Sequence, residues 1–515
     1  MKRMTRREFL RAGALASLGA VFLPERLWAE HGGEAQAKDY EVTGWSGNEF
    51  EIPHKLRDGW RPPDAEVSET HEVVVVGAGI AGLAAAFQLR HTDLLVLEAA
   101  RANGGNARAG SWQGNPFNIG SAYFTQPSRE QFALLDAAGI KILRVKKPVD
   151  RWFLDGAWVP EPWADESMAK QPSDLRRAME GFKKALRGIC AGADSPQNPY
   201  QRSSARALGL DRISFSQWLK PFAHPALMPF FTSYCYSALG SSPDTVSAYG
   251  GINFYSEILS AIYTTPSGNA HIAQGLARGI LSAGAHRIRS DCYVYRISPA
   301  SGGAAIVRYV RGGRSFTVTA KRVVLAVPYF VASTLLESLA DGQRYALKAQ
   351  QYASYVVANL CFDRKVSFDA YDNWTGGKAI FEDFIPSSWA GGSPPAGGAG
   401  GAQVIGVFMP MREALAGRWR LLSATPGEFA APIVKAFEAM APGSTRHLKE
   451  VHMTRWGHAI LMNKVGLFTR WLPSIHKNIG PVVLAHSDGQ GLPAVESAMN
   501  EGMSAARDVL QAWAR

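Results

Sequence analysis

The chain has 515 residues, of which 46% are hydrophobic and 19% charged, a composition with ample material for a core and enough length for two or three domains. Its net charge of +11 is spread thinly, with no dense Lys/Arg block interleaved with aromatics, which excludes a nucleic-acid partner. The four cysteines, Cys190, Cys235, Cys292 and Cys361, lie far apart and form no CxxC or metal spacing, which excludes zinc, iron–sulfur and c-type haem sites and leaves disulfides unassigned.

In chain order, the N-terminus reads MKRMTRREFLRAGALASLGAVFLPERLWAE, with Arg6-Arg7 directly before the apolar stretch Ala12–Leu23. That stretch is too short to span a bilayer and suits a signal peptide over residues 1–29. The paired arginines resemble a twin-arginine export signal, which implies the matching export machinery as a partner and a periplasmic or otherwise exported location. An uncleaved leader would leave a membrane tether. Residues 1–29 carry a net +4, so the mature chain would be near +7. The twin-arginine route carries folded proteins, which suits a chain that loads a large cofactor before export. Residues 30–70 are polar and aperiodic and read as an N-terminal extension.

HEVVVVGAGIAGLAAAFQLR follows. Val73–Val76 suits a strand buried on both faces, Gly77–Gly82 a turn, Ile80–Arg90 a helix, and Leu94–Leu97 a second buried strand closed by Glu98. This is a βαβ unit. Gly77 permits the tight turn, Gly79 lets the backbone approach a pyrophosphate, and Gly82 allows close helix–strand packing. Ile80 and Ala81 carry the first free N–H groups of the helix toward the phosphates. Glu98, with Ala99 beside it, is placed to bind ribose hydroxyls, which disfavours a 2′-phosphate and so NADP. Six residues on, Gly104-Gly105 and Asn106 form a second glycine site, which an NAD unit does not need and an extended FAD does.

Helical stretches dominate residues 165–260. Strand signals return at DCYVYRI, AAIVRYV and FTVTA, which alternate like a meander, and at RVVLAVP, which reads as a buried strand. Residues 390–402 form a low-complexity Gly/Pro loop, and the chain closes with a buried strand, a loop and a long helix. The expected fold class is α/β: a two-domain FAD-binding Rossmann-like architecture. The cofactor domain would comprise 71–150, 265–335 and 450–515, and an interleaved helical and sheet substrate domain 151–264 and 336–449.

With VVVVGAGIAGL, the acid-ended strand and GGN in place, the sequence resembles the flavin amine oxidase superfamily, which includes monoamine and polyamine oxidases. The resemblance runs through most of residues 71–515. FNIGSAYF (117–124) resembles the segment beside the flavin ring, which implies cofactor contacts at Gly120, Ser121 and Ala122 and places Tyr123 near the isoalloxazine. Val294 in DCYVYRI matches a valine whose backbone meets the adenine, RWGHA brings Trp456 and His458 near the flavin, and LAHSD with the closing helix brings Asp488 and Ala494. The AHSD segment looks most like the spermidine dehydrogenase branch. By default each of these is an ordinary residue: Val294 core, Asp488 a helix cap, Tyr123 and Trp456 packing, His458 a satisfied core histidine.

Three positions depart from the family pattern. Asn106 replaces an arginine, and Ala100 stands where another arginine falls, with Arg101 and Arg108 close by to restore charge. Ala358 or Asn359 takes the place of a lysine beside flavin N5, which favours a dehydrogenase over an oxidase. Ala494 stands where a cage tyrosine belongs. The resemblance implies non-covalent FAD, no metal, and hydride transfer from an amine to flavin N5, with Tyr123, Asn359, Trp456 and His458 around the reacting atoms and oxygen or a redox carrier as electron acceptor. A polyamine pocket would show carboxylates along a tunnel, with Glu257, Glu382 and Asp383 as candidates. The alternatives are a desaturase or protoporphyrinogen-oxidase-like enzyme on an apolar substrate, and a protein that holds FAD without turnover.

Overall fold

A computed structural model describes residues 40–63, 65–284, 287–366, 370–387 and 401–513. The proposed export signal and most of the low-complexity loop lie outside the described residues. Four consecutive valines, Val73–Val76, are almost wholly buried, because β-branched residues fit a pleated surface covered on both sides. Strand Val67–Val76 pairs in parallel with Leu94–Leu97, Val73 opposite Leu94 and Val76 opposite Leu97. Helix Ile80–Gln88 makes the crossover. These strands lie in a seven-stranded sheet that also holds Ile288–Arg289, the meander Tyr293–Pro299, Ala305–Arg311 and Arg314–Leu325, and the closing Val482–Leu484.

The sequence pattern divides FTVTA from RVVLAVP, yet both belong to one strand, Arg314–Leu325. Its first half pairs antiparallel with Ala305–Arg311 and its second half parallel with Val482–Leu484, while its other edge follows Val67–Val76. The change from alternating to continuous apolar residues marks the point where its exposed face becomes covered. Helices Ile80–Gln88, Ala270–Ala283 and Val495–Trp513 pack on one face of this sheet. The approach of the first and last is so close that a Cβ on Gly502 would sit 2.2 Å from the Ala81 carbonyl oxygen.

The second body is a nine-stranded sheet centred on Tyr352–Phe362, which is buried at every residue and flanked by Gln403–Met411 and Leu448–Leu461. Strands Asp383–Pro386, Asp372–Trp374, Asp150–Leu154 and Ala157–Pro160 extend it to one edge. Helices Ser173–Cys190, Met228–Leu239 and Ala248–Tyr255 enclose a separate aromatic-rich core beside it. Residues 448–461, where the third piece of the cofactor domain was expected to open, pair with Tyr352–Phe362 in this larger sheet.

The N-terminal extension also differs from the aperiodic segment expected. Its last residues, from Val67, are already part of the first long strand. Upstream, Glu41–Val42 and Ser46–Gly47 add in parallel to Leu448–Leu461, and a short helix follows at Glu51–Arg57. Alternation fails to reveal two-residue strands, because so short a run has no period.

Candidate functional site

A single cavity of about 1680 Å³ runs between the two bodies, larger than the roughly 300–1,000 Å³ usual for small-molecule sites. Its first wall is the turn Gly77–Ala81. Gly77 has φ +101°, a conformation that glycine adopts without strain. A Cβ at Gly82 would lie 1.9 Å from the Gly77 carbonyl oxygen, so the third glycine serves packing and does not itself bound the cavity. The helix that begins at Ile80 is capped by no side chain, and its first residues, Ile80 and Ala81, bound the cavity, a ready anion site.

The second glycine pair lies directly against the first. Gly104 donates its N–H to the Ala78 carbonyl at 2.8 Å, and a Cβ on Gly105 would stand 3.2 Å from the Gly79 Cα. Two bare backbones thus form one cradle, which any side chain would fill. Glu98 is buried at its edge, accepting the N–H of Ala78 at 2.5 Å and of Ala100 at 2.8 Å. Burial raises its pKa, opposed by those N–H groups and by Arg108. Ala99, Val294 and Cys292 bound the same end of the cavity.

Asn106 bounds the cavity beside this glycine pair. Its amide donates to the Ala459 carbonyl at 2.9 Å and so ties the second glycine loop to strand Leu448–Leu461. Arg101 is 84% exposed at its side chain, reaches Asp291 at 3.6 Å and does not bound the cavity. Arg108 does bound it, held by the carbonyls of Gly105 at 3.0 Å and Gly47 at 2.7 Å, with its guanidinium 5.0 Å from the Trp456 ring centre. The cation closest to the glycine cradle is therefore Arg108.

Gly120, Ser121, Ala122 and Tyr123 continue the wall. A Cβ on Gly120 would meet the Asn106 carbonyl oxygen at 2.2 Å. Trp456 is buried and donates its indole N–H to the Ile119 carbonyl at 2.6 Å. His458 stacks on Phe330 at 4.2 Å, and burial with Arg418 nearby lowers its pKa to about 4, so it is neutral. Asn359, expected beside the reacting atoms, is fully buried, donates to the Asn118 carbonyl at 3.1 Å and does not bound the cavity. It shares the strand face of Tyr355 and Val357, which bound the cavity, but lies farther along that face, against Asn118. Asp488 bounds the cavity, yet its oxygens are engaged by the Tyr352 hydroxyl, the Tyr329 N–H at 3.1 Å and His486 at 3.1 Å, so it anchors the closing loop. Ala494 lies at the cavity where the final helix begins.

Sequence reasoning missed one wall entirely. Residues 47–50, 53, 54, 56, 57, 61 and 62 of the N-terminal segment bound the cavity. Asn48 accepts the Gly457 N–H at 2.7 Å and Glu49 accepts the Tyr293 hydroxyl at 3.1 Å, so this strap bridges both bodies. Of the candidate tunnel acids, Glu257 and Asp383 bound the cavity, whereas Glu382 pairs with Arg412 at 2.8 Å away from it.

Residues 80–510 match the model of the flavin containing amine oxidoreductases. The chain belongs to that family. Membership implies a flavin, and the double glycine cradle, the uncapped helix start and Glu98 fit one. The structure also matches cyclohexylamine oxidase from Brevibacterium oxydans, with 18% identity, a TM-score of 0.68, and coverage of 86% of this chain and 100% of that one. Putrescine oxidase bound to putrescine matches with 17% identity, a TM-score of 0.67, and coverage of 86% and 99%. At such identities the likeness concerns the fold, which is the two-body flavin-binding fold expected. Among curated relatives, the oxidoreductase PigB of Serratia sp. is 23% identical over 60% of this chain and 54% of its own length. The putative flavin-containing monoamine oxidase AofH of Mycobacterium tuberculosis is 28% identical over 42% of this chain and 51% of its own. The chain thus spans about half the length of the curated relatives it matches.

Proposed function

We propose that the chain is an FAD-dependent oxidoreductase acting on an amine. The observation that carries this reading is that one cavity joins the double glycine cradle to a chamber walled by Tyr123, Tyr355, Trp374 and Trp456. Bound there, flavin would supply a two-electron acceptor for hydride from the carbon next to an amine nitrogen, leaving an imine that water hydrolyses. The Gly77–Ala81 turn and Gly104–Gly105 would hold the diphosphate, Glu98 the ribose, and Arg108 the cationic contact. Among the described residues Cys292 is the cysteine at the cavity, and its N–H donates to the Glu98 carbonyl at 2.8 Å, at the ribose end, which supports non-covalent binding.

The aromatic walls exclude water and orient the amine. The Tyr123 hydroxyl is pushed well above its ordinary pKa by burial and nearby acids, so it keeps its proton. His458 is neutral and takes no proton at neutral pH. The residues thus suit a substrate that arrives with its reacting nitrogen neutral. No lysine bounds the cavity among the described residues, which supports an acceptor other than oxygen, and Arg6-Arg7 support export with the cofactor already loaded.

Anaerobic titration of the flavin-loaded protein with a panel of amines tests the reading. Bleaching of the flavin band is expected, and a band unchanged by every amine would overturn the proposal. Reduced enzyme should then reduce dyes faster than it consumes oxygen. An Arg6-Arg7 to Lys-Lys change should retain the precursor in the cytoplasm.

A further inference from the structure

Behind the cavity wall at His486 and Asp488 lies a buried acid that the chemistry above leaves unused. Glu501 sits in the final helix, Val495–Trp513, and is 8% exposed. Its carboxylate fills the space under the turn Ser487–Gln490. A Cβ on Gly489 would lie 2.1 Å from Glu501 Oε2, so the turn has room for the acid only because a glycine crosses it. The Gln490 amide donates to Glu501 Oε1, and its oxygen accepts the Tyr200 N–H at 3.1 Å. From there the hydrogen bonds run on. The Tyr200 hydroxyl meets His476 Nδ1 at 3.3 Å, His476 Nε2 meets the Tyr329 hydroxyl at 3.0 Å, and the Tyr329 N–H donates to Asp488 at 3.1 Å. Asp488 also accepts the Tyr352 hydroxyl. The network thus leaves the turn at Gln490 and returns to it at Asp488. It ties the final helix, the turn, the segment at Tyr200 and strand Tyr352–Phe362 together, and His486, Ser487, Asp488 and Tyr352 bound the cavity.

Packing alone does not call for a carboxyl at this place. A glutamine of the same length would accept the Gln490 amide equally well, and burying an acid away from a paired cation is costly. The charges acting on Glu501 are His486, which favours its ionised form, and Asp508 and Asp488, which oppose it. Helix Ile80–Gln88, packed alongside, carries no ionisable side chain. Arg507 and Arg202 reach Glu130 at 3.4 and 3.6 Å. Burial raises the Tyr200 and Tyr329 hydroxyls, so both keep their protons, and lowers His476 to about 4, so it stays neutral. Burial also raises Glu501, to about 7. The acid therefore changes charge near neutral pH while the tyrosines and His476 of the network do not.

We propose that Glu501 is a positioning residue for the cofactor: from behind the turn Ser487–Gln490 it fixes the cavity wall at His486 and Asp488, and its charge sets how readily the flavin held in the cavity accepts electrons. This inference rests on the flavin reading above and not on the choice of substrate. In a protein interior of low dielectric a charge acts over long distances. A negative charge behind the wall opposes the arrival of further electrons, so the ionised acid lowers the potential of the flavin. The protonated acid keeps the hydrogen bond from Gln490 and gives up only the charge, so position and charge can be separated by experiment.

The test is a potential titration of the flavin-loaded protein with dithionite and reference dyes, which needs no amine. The unsubstituted protein and Glu501→Gln should agree at pH 6 and diverge at pH 8, where the unsubstituted protein should have the lower potential. Near the midpoint, a difference of about threefold or more in the ratio of reduced to oxidised flavin is expected, the scale of a unit charge acting across a protein interior. Glu501→Ala leaves the Gln490 amide without its acceptor and should release flavin faster, with Gln at the same place restoring retention. Potentials that stay together from pH 6 to pH 8 overturn the proposal, even where Glu501→Gln shifts the unfolding temperature, because that shift alone marks a packing residue. Flavin release from Glu501→Ala at the unsubstituted rate overturns the positioning role. Divergence at pH 8 in a flavin that no amine bleaches supports the proposal and overturns amine oxidation instead. A protein that takes up no flavin in any form overturns both.

Discussion

The two ends of the cavity are built on opposite plans. At the cofactor end the wall is mostly backbone: the Gly77–Ala81 turn and the Gly104–Gly105 pair, contributed by fewer than 30 consecutive residues. At the substrate end it is side chains from Tyr123, Glu257, Tyr355, Trp374 and Asp383, drawn from across more than 250 residues. A site made of backbone tolerates no added atoms but is indifferent to charge. A site made of side chains can change specificity one residue at a time, and its energetics are set by charge.

The largest effect should come from adding a Cβ at Gly82, where the helix packs against the turn that forms the cradle. Gly82→Ala would place a methyl group 1.9 Å from a backbone oxygen that cannot move without opening the strand–helix contact. A loss of about 3–5 kcal/mol is expected, together with loss of bound flavin, read by circular dichroism and the flavin-to-protein absorbance ratio. A normally loaded Gly82→Ala protein would mean that the packing behind the cradle is softer than its geometry implies.

Next in size is removal of the strap. Deleting residues 1–62 takes away the Gly47 carbonyl that holds Arg108 and the wall at residues 47–62. Flavin should dissociate at least about tenfold faster, measured by dilution and fluorescence of released flavin, since loss of one charge-assisted hydrogen bond already amounts to about 1.5 kcal/mol or more.

The charge-built end should instead respond to pH. Burial and mutual repulsion hold the folded pKa of Asp150, Glu257, Asp372 and Asp383 above the unfolded value, so these carboxyls bind more protons when folded. Stability is therefore greatest below the ordinary carboxylate range and falls as pH rises toward about 8, the Glu257 value. Glu161 and Glu382 add to this repulsion, while Tyr123, Tyr234, Tyr355 and Tyr371 stay protonated throughout. Asp372→Asn should flatten the profile and raise the unfolding temperature by about 2–4 °C at pH 8. A profile unchanged by the substitution would show that these acids do not ionise in that window.

The smallest effect separates two residues of the cradle itself. Asn106→Ala removes one neutral hydrogen bond to Ala459 and should cost about 1 kcal/mol of stability with flavin affinity little changed. Arg108→Ala should weaken flavin several-fold more. Equal losses of affinity in both would return Asn106 to the diphosphate.

The cofactor end was legible in the sequence because its requirement is local. Gly77, Gly79 and Gly82 at fixed offsets between a four-valine strand and a helix leave little else the segment can be, and Glu98 follows at the end of the next strand. Asn359 lies off the cavity although Tyr355 and Val357 on the same face bound it, because alternation along Tyr352–Phe362 identifies a face but not where along it the cavity ends. The strap was illegible because its strands are two residues long. Glu257 and Asp383 could be suspected as isolated acids in an apolar stretch, but Asp150 and Asp372 could not.

What the sequence determined alone is the nucleotide-binding unit, its glycine contacts and the family, because these depend on residues close in the chain whose spacing has one physical solution. What the tertiary structure decided is which charges meet. Arg108 rather than Arg101 stands at the cradle, the N-terminal segment closes over it, and Asp372 lies beside Asp150 because a parallel ladder pairs strands more than 200 residues apart. Spacing along the chain carries no information about such a pairing, since register between distant strands is set by the packing of the whole sheet.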